Sequence, residues 1–287
     1  MGLSKDDLPE SVGEALVETQ GPQWLDQALE RVAELEKSWN FETIEIPDHQ
    51  GAGSLVVKVE DEEKEGVLKI PADAQSGCDE AAALKIWEDC NVPAVVMDDQ
   101  ETGVFLMDYI PSSDECRHVT PFQAFVLADL MHTPEANFDY SFPSLSANLK
   151  HRAKEAQLLH RDNAATQEEV SLAIRVTETL LRTQDHQELL HGDYRNENII
   201  YASQGPIIID PKPCLGDSLF DIALWAADTQ NVEDVEVLFE LVGNGAPRLA
   251  PWVWSLATLK DGLGSYVAKL LRPQALKWMD RNFRTIR

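Results

Sequence analysis

Helical and strand-like patterns of apolar residues both occur in the first third of the chain. Residues 23–39 carry apolar side chains every three or four positions, which predicts a helix that begins after a Gly-Pro pair. Short apolar runs follow at 54–59 and 67–70, separated by the charged segment 61–66, and they predict a β-hairpin. A third apolar run at 104–110 predicts another strand.

The remainder of the chain is mainly helical by the same criterion. Segments 121–131, 145–159 and 168–181 repeat apolar residues with the 3.6-residue period of helices. A chain of 287 residues with 44% hydrophobic content can bury one large domain or two closely packed ones. An α+β fold with two lobes of unequal size is expected. Tryptophans in the last third predict a substantial helical core there, and they are Trp225, Trp252, Trp254 and Trp278.

Polar groups stand at fixed intervals between short apolar runs in segment 189–221. Asp193 and Asn198 are separated as in the catalytic loop of kinases, and Asp210 follows the β-branched run 207–209, a predicted buried strand. In such a site one Asp accepts the proton of the substrate hydroxyl, while the Asn and the second Asp bind Mg²⁺ on the phosphates of ATP. Asp-Pro stands where protein kinases have Asp-Phe-Gly. The pattern therefore predicts an ATP- and Mg²⁺-dependent kinase of small molecules.

Two motifs carry a resemblance to a known family. HGDYRNEN (191–198) and IDPKPCLGDSLFDIA (209–223) resemble the aminoglycoside/hydroxyurea antibiotic resistance kinases, which include streptomycin 6-phosphotransferases. The resemblance implies a protein-kinase-like two-lobe fold. Residues 1–109 would form a lobe with a small antiparallel β-sheet, and residues 110–287 a larger helical lobe with the catalytic loop, metal site and acceptor pocket. An aminoglycoside such as streptomycin is the implied acceptor.

The resemblance implies a nucleotide site in the first lobe. Lys69, on the second predicted strand, would contact the phosphates of ATP and pair with Glu80 on the following helix. The alternative for Lys69 is a strand lysine that faces solvent. Gly53 and Ser54 would cover the phosphates, although the same glycine-containing segment is equally typical of a plain hairpin turn.

The strand at 104–110 resembles the last strand of a kinase small lobe and its hinge. The family implies that adenine hydrogen-bonds to the backbone near Asp108 and Ile110. A buried core strand that ends at a proline is the alternative, and the two interpretations are compatible.

Three further residues of the motifs receive separate interpretations. Arg195 replaces the His more usual in the aminoglycoside group and could neutralise the transferring phosphoryl group, or form a salt bridge within the loop. His191 is expected to hold the loop backbone rather than to transfer a proton. Asp221 is expected to anchor the loop by accepting backbone N–H bonds.

The sequence offers only weak candidates for binding the acceptor. They are Asp217, Trp225 and Asp228, which follow the metal-binding segment. Asp217 could instead cap the following helix. Polar residues on helices also commonly face solvent.

Charge and cysteine content narrow the choice of partners and location. Fifty acidic residues against 24 basic ones give a formal charge of −26, which argues against nucleic acid and anionic membrane surfaces as partners. The acidic field could steer a cationic substrate, or form a solvated surface suited to salty conditions. Four spread cysteines indicate neither a disulfide framework nor a zinc site, and neither a secretory signal nor a long apolar segment is evident. A cytoplasmic protein is expected.

The sequence thus predicts a kinase that transfers the γ-phosphoryl group of ATP to a small-molecule hydroxyl. Two alternatives stay open. The acceptor could be a metabolic sugar or amino alcohol, because one fold serves many acceptors. The chain could also be a nucleotide-binding regulatory protein without turnover.

Overall fold

The structure is a computed structural model, and it describes residues 3–48, 50–112, 119–134, 137–229, 231–243 and 246–283. The chain divides into two compact units, Met1–Ser112 and Ser113–Arg287. Cys78, Cys90 and Cys214 form no disulfide with one another, and Cys116 lies outside the described residues. Within the described part, no helix has the length and apolar character needed to cross a membrane.

The first unit contains a five-stranded antiparallel sheet with helices. The strands pair in the order β1-β2-β3-β5-β4. The elements are α1 (Glu10–Gln20), α2 (Pro22–Ser38), β1 (Glu42–Glu45), β2 (Ser54–Glu60), β3 (Glu65–Pro71), α3 (Ala74–Ile86), β4 (Val95–Asp99) and β5 (Val104–Asp108).

Alternation along the strands places apolar side chains on both faces of this sheet. Val104 and Leu106 of β5 join a core cluster that also contains buried residues of β2, α1 and α2. Phe105, between them, belongs instead to a second cluster with Ala81 and Leu84 of α3. Burial on both faces fixes the register of the strands, because a slip by one residue would exchange the two faces.

The second unit is mainly helical. Its small strands form a three-stranded sheet in the order β10-β7-β6 and a separate β8-β9 hairpin. The elements are α4 (Pro121–Met131), β6 (Thr133–Pro134), α5 (Leu145–Leu159), α6 (Ala164–Arg182), β7 (Glu188–Leu190), β8 (Ile199–Ala202), β9 (Gly205–Ile208), β10 (Cys214–Gly216), α7 (Leu219–Thr229), α8 (Val232–Val242), α9 (Ala246–Asp261) and α10 (Tyr266–Phe283).

Large aromatic side chains fill the helical core of the second unit. Trp225 of α7 and Trp252 and Trp254 of α9 are almost completely buried, and Phe220 meets Trp252 edge to face. The predicted α+β class, with a small antiparallel sheet and many helices, is confirmed. Helix α3 begins at Ala74, and Asp73 caps it by accepting a hydrogen bond from the Ser76 amide.

Candidate active site

Lys69 and Glu80 form a buried ion pair in the first unit. The Lys69 ammonium lies 2.7 Å from each carboxylate oxygen of Glu80, and each side chain is only 8% exposed. Strand β3 carries the lysine, and Glu80 lies on a buried face of α3. A buried charge pair is costly to desolvate and needs close geometry, which this one has. The alternative of a lysine that faces solvent is therefore wrong.

The predicted hinge backbone is partly engaged in the sheet. The Asp108 amide donates to the Ala94 carbonyl over 3.0 Å, and the Tyr109 amide donates to the Glu65 carbonyl over 3.4 Å. The Asp108 carboxylate accepts a 2.7 Å bond from Lys64. Among the described residues, the Ile110 amide donates no backbone hydrogen bond.

Two carbonyl groups in the turn before β2 accept hydrogen bonds. The Gly53 carbonyl accepts a bond from the Ala72 amide, and the Ala52 carbonyl accepts one from Gln20. Gly53 has no positive φ, and a Cβ atom added to it would meet no atom within 4 Å. Conformation alone thus does not require a glycine here, whereas close approach of a ligand would. Ser54 is buried at the start of β2.

Asp193 occupies the loop between β7 and β8 and is surrounded by cations. Its side chain is 4% exposed. One carboxylate oxygen, Oδ2, accepts a 2.8 Å bond from Lys212, and the other, Oδ1, accepts a 3.0 Å bond from Arg152 of α5. Burial acts to raise the pKa of Asp193, but the charges of Lys212, Arg152 and Arg195 outweigh it and lower this pKa to about 2. Asp193 is therefore a carboxylate at neutral pH.

Arg195 lies beside this carboxylate. Its Nε atom is 3.3 Å from Oδ1 of Asp193, and its Nη1 atom is 3.4 Å from Glu197. Nε is buried without an aligned hydrogen bond, so a donor next to the candidate base remains unused. The geometry suits both interpretations of Arg195, as a loop salt bridge and as a donor to a phosphoryl oxygen.

Asn198 and Asp210 supply oxygen atoms close to the same loop. The Asn198 side-chain nitrogen donates to the Asp193 carbonyl over 2.8 Å, which leaves its amide oxygen as an acceptor. The Ile209 amide donates to the Asn198 carbonyl and so links the end of β9 to the loop. Asp210 follows with φ of 58°, a left-handed conformation that few residues other than glycine adopt.

These two residues fit a kinase-type Mg²⁺ site. Mg²⁺ at phosphate-transfer sites is commonly bound by one or two protein oxygen ligands together with the phosphates. No group of three or more His, Cys, Asp or Glu residues in the described part of the chain could hold a metal by itself.

Asp221 anchors the loop that carries Asp193, as expected. At the start of α7, its fully buried carboxylate accepts bonds from the amides of His191 (2.8 Å) and Gly192 (2.9 Å). His132 lies 3.2 Å from the same carboxylate. Burial acts to raise the pKa of Asp221, but His132, His191 and the Gly192 amide outweigh it and lower this pKa. Burial lowers the pKa of His191, whose ring contacts the Ile209 carbonyl, and this agrees with a structural role.

The three candidate acceptor-binding residues have internal partners instead. The Asp217 carboxylate binds Arg248 and the indole N–H of Trp252, and it also caps α7 through the Leu219 amide. Trp225 is fully buried and donates to Asn196, so it offers no surface to a substrate. Asp228 pairs with Lys260. These contacts favour structural roles for all three residues.

Arg152, Lys212 and His132 also contact the site residues and were not predicted from the sequence. Arg152 and His132 reach the site from segments distant in sequence, so no local motif marks them. Lys212 stands inside the Asp-Pro-Lys-Pro segment, two positions after Asp210. Its place within this motif could have identified it from the sequence. A separate groove of about 500 Å³ lies between the start of α5, the end of α6 and Leu215, and none of the predicted site residues lines it.

Comparison with known proteins confirms the resemblance carried by the two motifs. The family model for aminoglycoside/hydroxyurea antibiotic resistance kinases matches residues 40–237. No curated protein sequence matches the chain.

Solved structures of several kinases share the fold. The amicoumacin kinase hAmiN, determined with AMP-PNP, Ca²⁺ and Ami, is 11% identical with a TM-score of 0.60, over 91% of this chain and 96% of its own. The choline kinase LicA from Streptococcus pneumoniae is 13% identical with a TM-score of 0.58, over 89% and 98%. A choline/ethanolamine kinase family protein from Mesorhizobium loti is 18% identical with a TM-score of 0.53, over 85% and 87%. At these identities the likeness shows the fold alone.

Proposed function

Because the chain belongs to the aminoglycoside/hydroxyurea antibiotic resistance kinase family, we propose that it transfers the γ-phosphoryl group of ATP to a hydroxyl of an aminoglycoside such as streptomycin. The family itself makes the chain a small-molecule phosphotransferase with a hydroxyl acceptor. The observation that carries the proposal is the loop in which Asn198 donates to the backbone of Asp193. That bond fixes a candidate base next to a candidate metal ligand.

Residues 1–109 would bind the nucleotide. Lys69, fixed by Glu80, would contact the phosphates, and Gly53 and Ser54 would lie over them. The Ile110 amide and the backbone near Asp108 would bind adenine. The complexes of hAmiN with AMP-PNP and of LicA with AMP support a nucleotide in proteins of this fold.

Residues 110–287 would carry the metal and the chemistry. Asn198 and Asp210 would hold Mg²⁺, which when bound offsets the negative charge of the phosphates. Asp193 would orient the acceptor hydroxyl and accept its proton, and Arg195 would donate to an oxygen of the transferring phosphoryl group.

A sugar or amino alcohol is the second candidate acceptor. An aminoglycoside carries several amines, and acidic side chains are their natural partners. Asp217 and Asp228, the acids considered for this role, are occupied by Arg248 and Lys260. Acceptors with fewer cationic groups therefore stay in the proposal.

An acceptor panel tests the proposed function. ADP release would be measured with streptomycin, other aminoglycosides, hydroxyurea, amino sugars and amino alcohols, with Asp193→Asn as the blank. Turnover confined to aminoglycosides is expected. Turnover confined to sugars or amino alcohols would replace the acceptor class and keep the reaction. Tight Mg·ATP binding without turnover on any acceptor would favour a regulatory protein.

Asp210→Ala is expected to make ATP binding independent of Mg²⁺. The substitution removes a carboxylate from the proposed metal site and leaves Lys69 and Glu80 intact in the first unit. Calorimetric titration with ATP, with and without Mg²⁺, measures the effect. Glu169→Gln, at an ion pair with Arg272, is the matched control and should keep the Mg²⁺ dependence of the wild type. An Asp210→Ala variant that binds Mg·ATP normally would refute the assignment.

A further inference from the structure

The backbone of Lys212 is clamped to the catalytic loop. Its amide donates to the His191 carbonyl over 2.8 Å. Its carbonyl lies so close to Gly192 that a Cβ atom there would collide with it, and Gly192 has φ of 76°. Prolines on both sides of Lys212 restrict the backbone further. The backbone of Lys212 is therefore held in place beside the loop that carries Asp193.

The side chain of Lys212 is far less confined than its backbone. It is 64% exposed, although its ammonium lies 2.8 Å from Oδ2 of the nearly buried Asp193. Arg152, which binds Oδ1, is 24% exposed and is held by further bonds to Asn148 and the Gly192 carbonyl. The closest approach of Arg195 is also to Oδ1, and its contact with Oδ2 is 3.5 Å long. Lys212 is thus the main partner of Oδ2 and the one best able to leave.

An acceptor hydroxyl needs a carboxylate oxygen within hydrogen-bond reach to pass on its proton. We propose that Lys212 is a further catalytic residue, which occupies Oδ2 of Asp193 until a hydroxyl replaces it and then donates to an oxygen of the transferring phosphoryl group. The inference rests on the proposed function. A lysine suits the task, because its ammonium is a point charge on a flexible stem.

The step balances without any other reactant. The acceptor oxygen forms the new bond to the γ-phosphorus as its proton passes to Oδ2 of Asp193. The bond from that phosphorus to the β–γ bridging oxygen breaks, and the electron pair leaves with ADP. Lys212 keeps its proton throughout and lowers the energy of charge on a non-bridging oxygen.

The test compares ADP with its tetrafluoroaluminate complex, which imitates a phosphoryl group in transfer and takes up a water whose hydroxyl stands in for that of the acceptor at Oδ2 of Asp193. In Lys212→Met, the affinity for ADP·AlF₄⁻ should fall by about ten-fold or more, while the affinity for ADP stays within about two-fold, because one charge-assisted hydrogen bond is lost. Lys212→Arg keeps the charge and should retain part of the difference. Lys85→Met is the matched control, because Lys85 is also ion-paired and is 43% exposed. It should match the wild type.

Two results would overturn the proposal. One is an unchanged preference for ADP·AlF₄⁻ over ADP in Lys212→Met. The other is an equal loss of affinity for both, which would indicate a structural role. With streptomycin as the acceptor, kcat should fall by about ten- to a hundred-fold with little change in KM for ATP. If the wild type fails to phosphorylate streptomycin, the proposed acceptor is wrong, and the ADP·AlF₄⁻ comparison still decides the role of Lys212.

Discussion

Turnover is expected to fall by about a hundred-fold or more in Asp193→Asn, the usual contribution of a general base, while Mg·ATP still binds. The amide keeps the size of the side chain but accepts no proton at neutral pH. The backbone of residue 193 would remain in place, because Asn198 holds its carbonyl and Asp221 holds the amides of the two preceding residues. The chemistry is therefore lost from a loop that stays in position.

The cations around Asp193 decide which control is needed. Lys212, Arg152 and Arg195 lose their shared counter-charge in the variant, which costs stability where they are partly shielded from water. The urea midpoint must therefore be measured beside kcat and the Mg·ATP affinity. Glu169→Gln removes a carboxylate from a more exposed pair and should keep full turnover. Unchanged turnover in Asp193→Asn would remove this residue from the role of base.

The elements predicted from sequence are helices with a clear apolar period and strands with an apolar run of several residues. Helices α4 and α5 begin and end as their apolar period indicates. Strands β6, β7 and β10 are only two or three residues long, too short for an alternating pattern to be recognised. Helices α9 and α10 each contain an internal proline, a residue that ordinarily marks a helix end in a sequence.

Some residues of the candidate site are close to one another in sequence, and others come from distant segments. Lys69 and Glu80 are close in sequence, and so are Asp193 and Asn198, so motifs could identify all of them. Arg152 reaches Asp193 across 41 residues. From the sequence of its helix alone, Arg152 would be interpreted as a solvated surface residue. Only tertiary packing brings it to Asp193.

Tertiary contacts also explain why the acceptor residues could not be chosen from sequence. The spacing of Asp217 and Asp228 gives no sign that Arg248 and Lys260 pair with them. A carboxylate that already pairs with a nearby cation attracts a cationic ligand less strongly. Net charge, which suggested a cationic substrate, is a sum over the whole chain and does not describe one pocket.

The largest loss of stability is expected in Asp221→Asn. The fully buried carboxylate accepts two amide bonds and contacts His132, whereas an Asn side chain has one acceptor oxygen and brings an NH₂ group to face donors. Removing one partner of a buried charged network leaves the others unsatisfied and costs about 3 kcal/mol. Urea unfolding should show a lower midpoint with an unchanged slope. A loss below about 1 kcal/mol would contradict the anchoring role.

The pH dependence of stability provides an independent check on Asp221. Its pKa in the folded protein is below the ordinary value of 3.8, so the carboxylate binds fewer protons folded than unfolded near that pH. Its contribution to stability is therefore complete above the unfolded pKa and is lost as pH falls toward the folded pKa. Asp221→Asn removes this contribution at every pH. The free energy of unfolding of the wild type should therefore approach that of Asp221→Asn below about pH 4. A difference that stays constant with pH would show that Asp221 is not held as an anion.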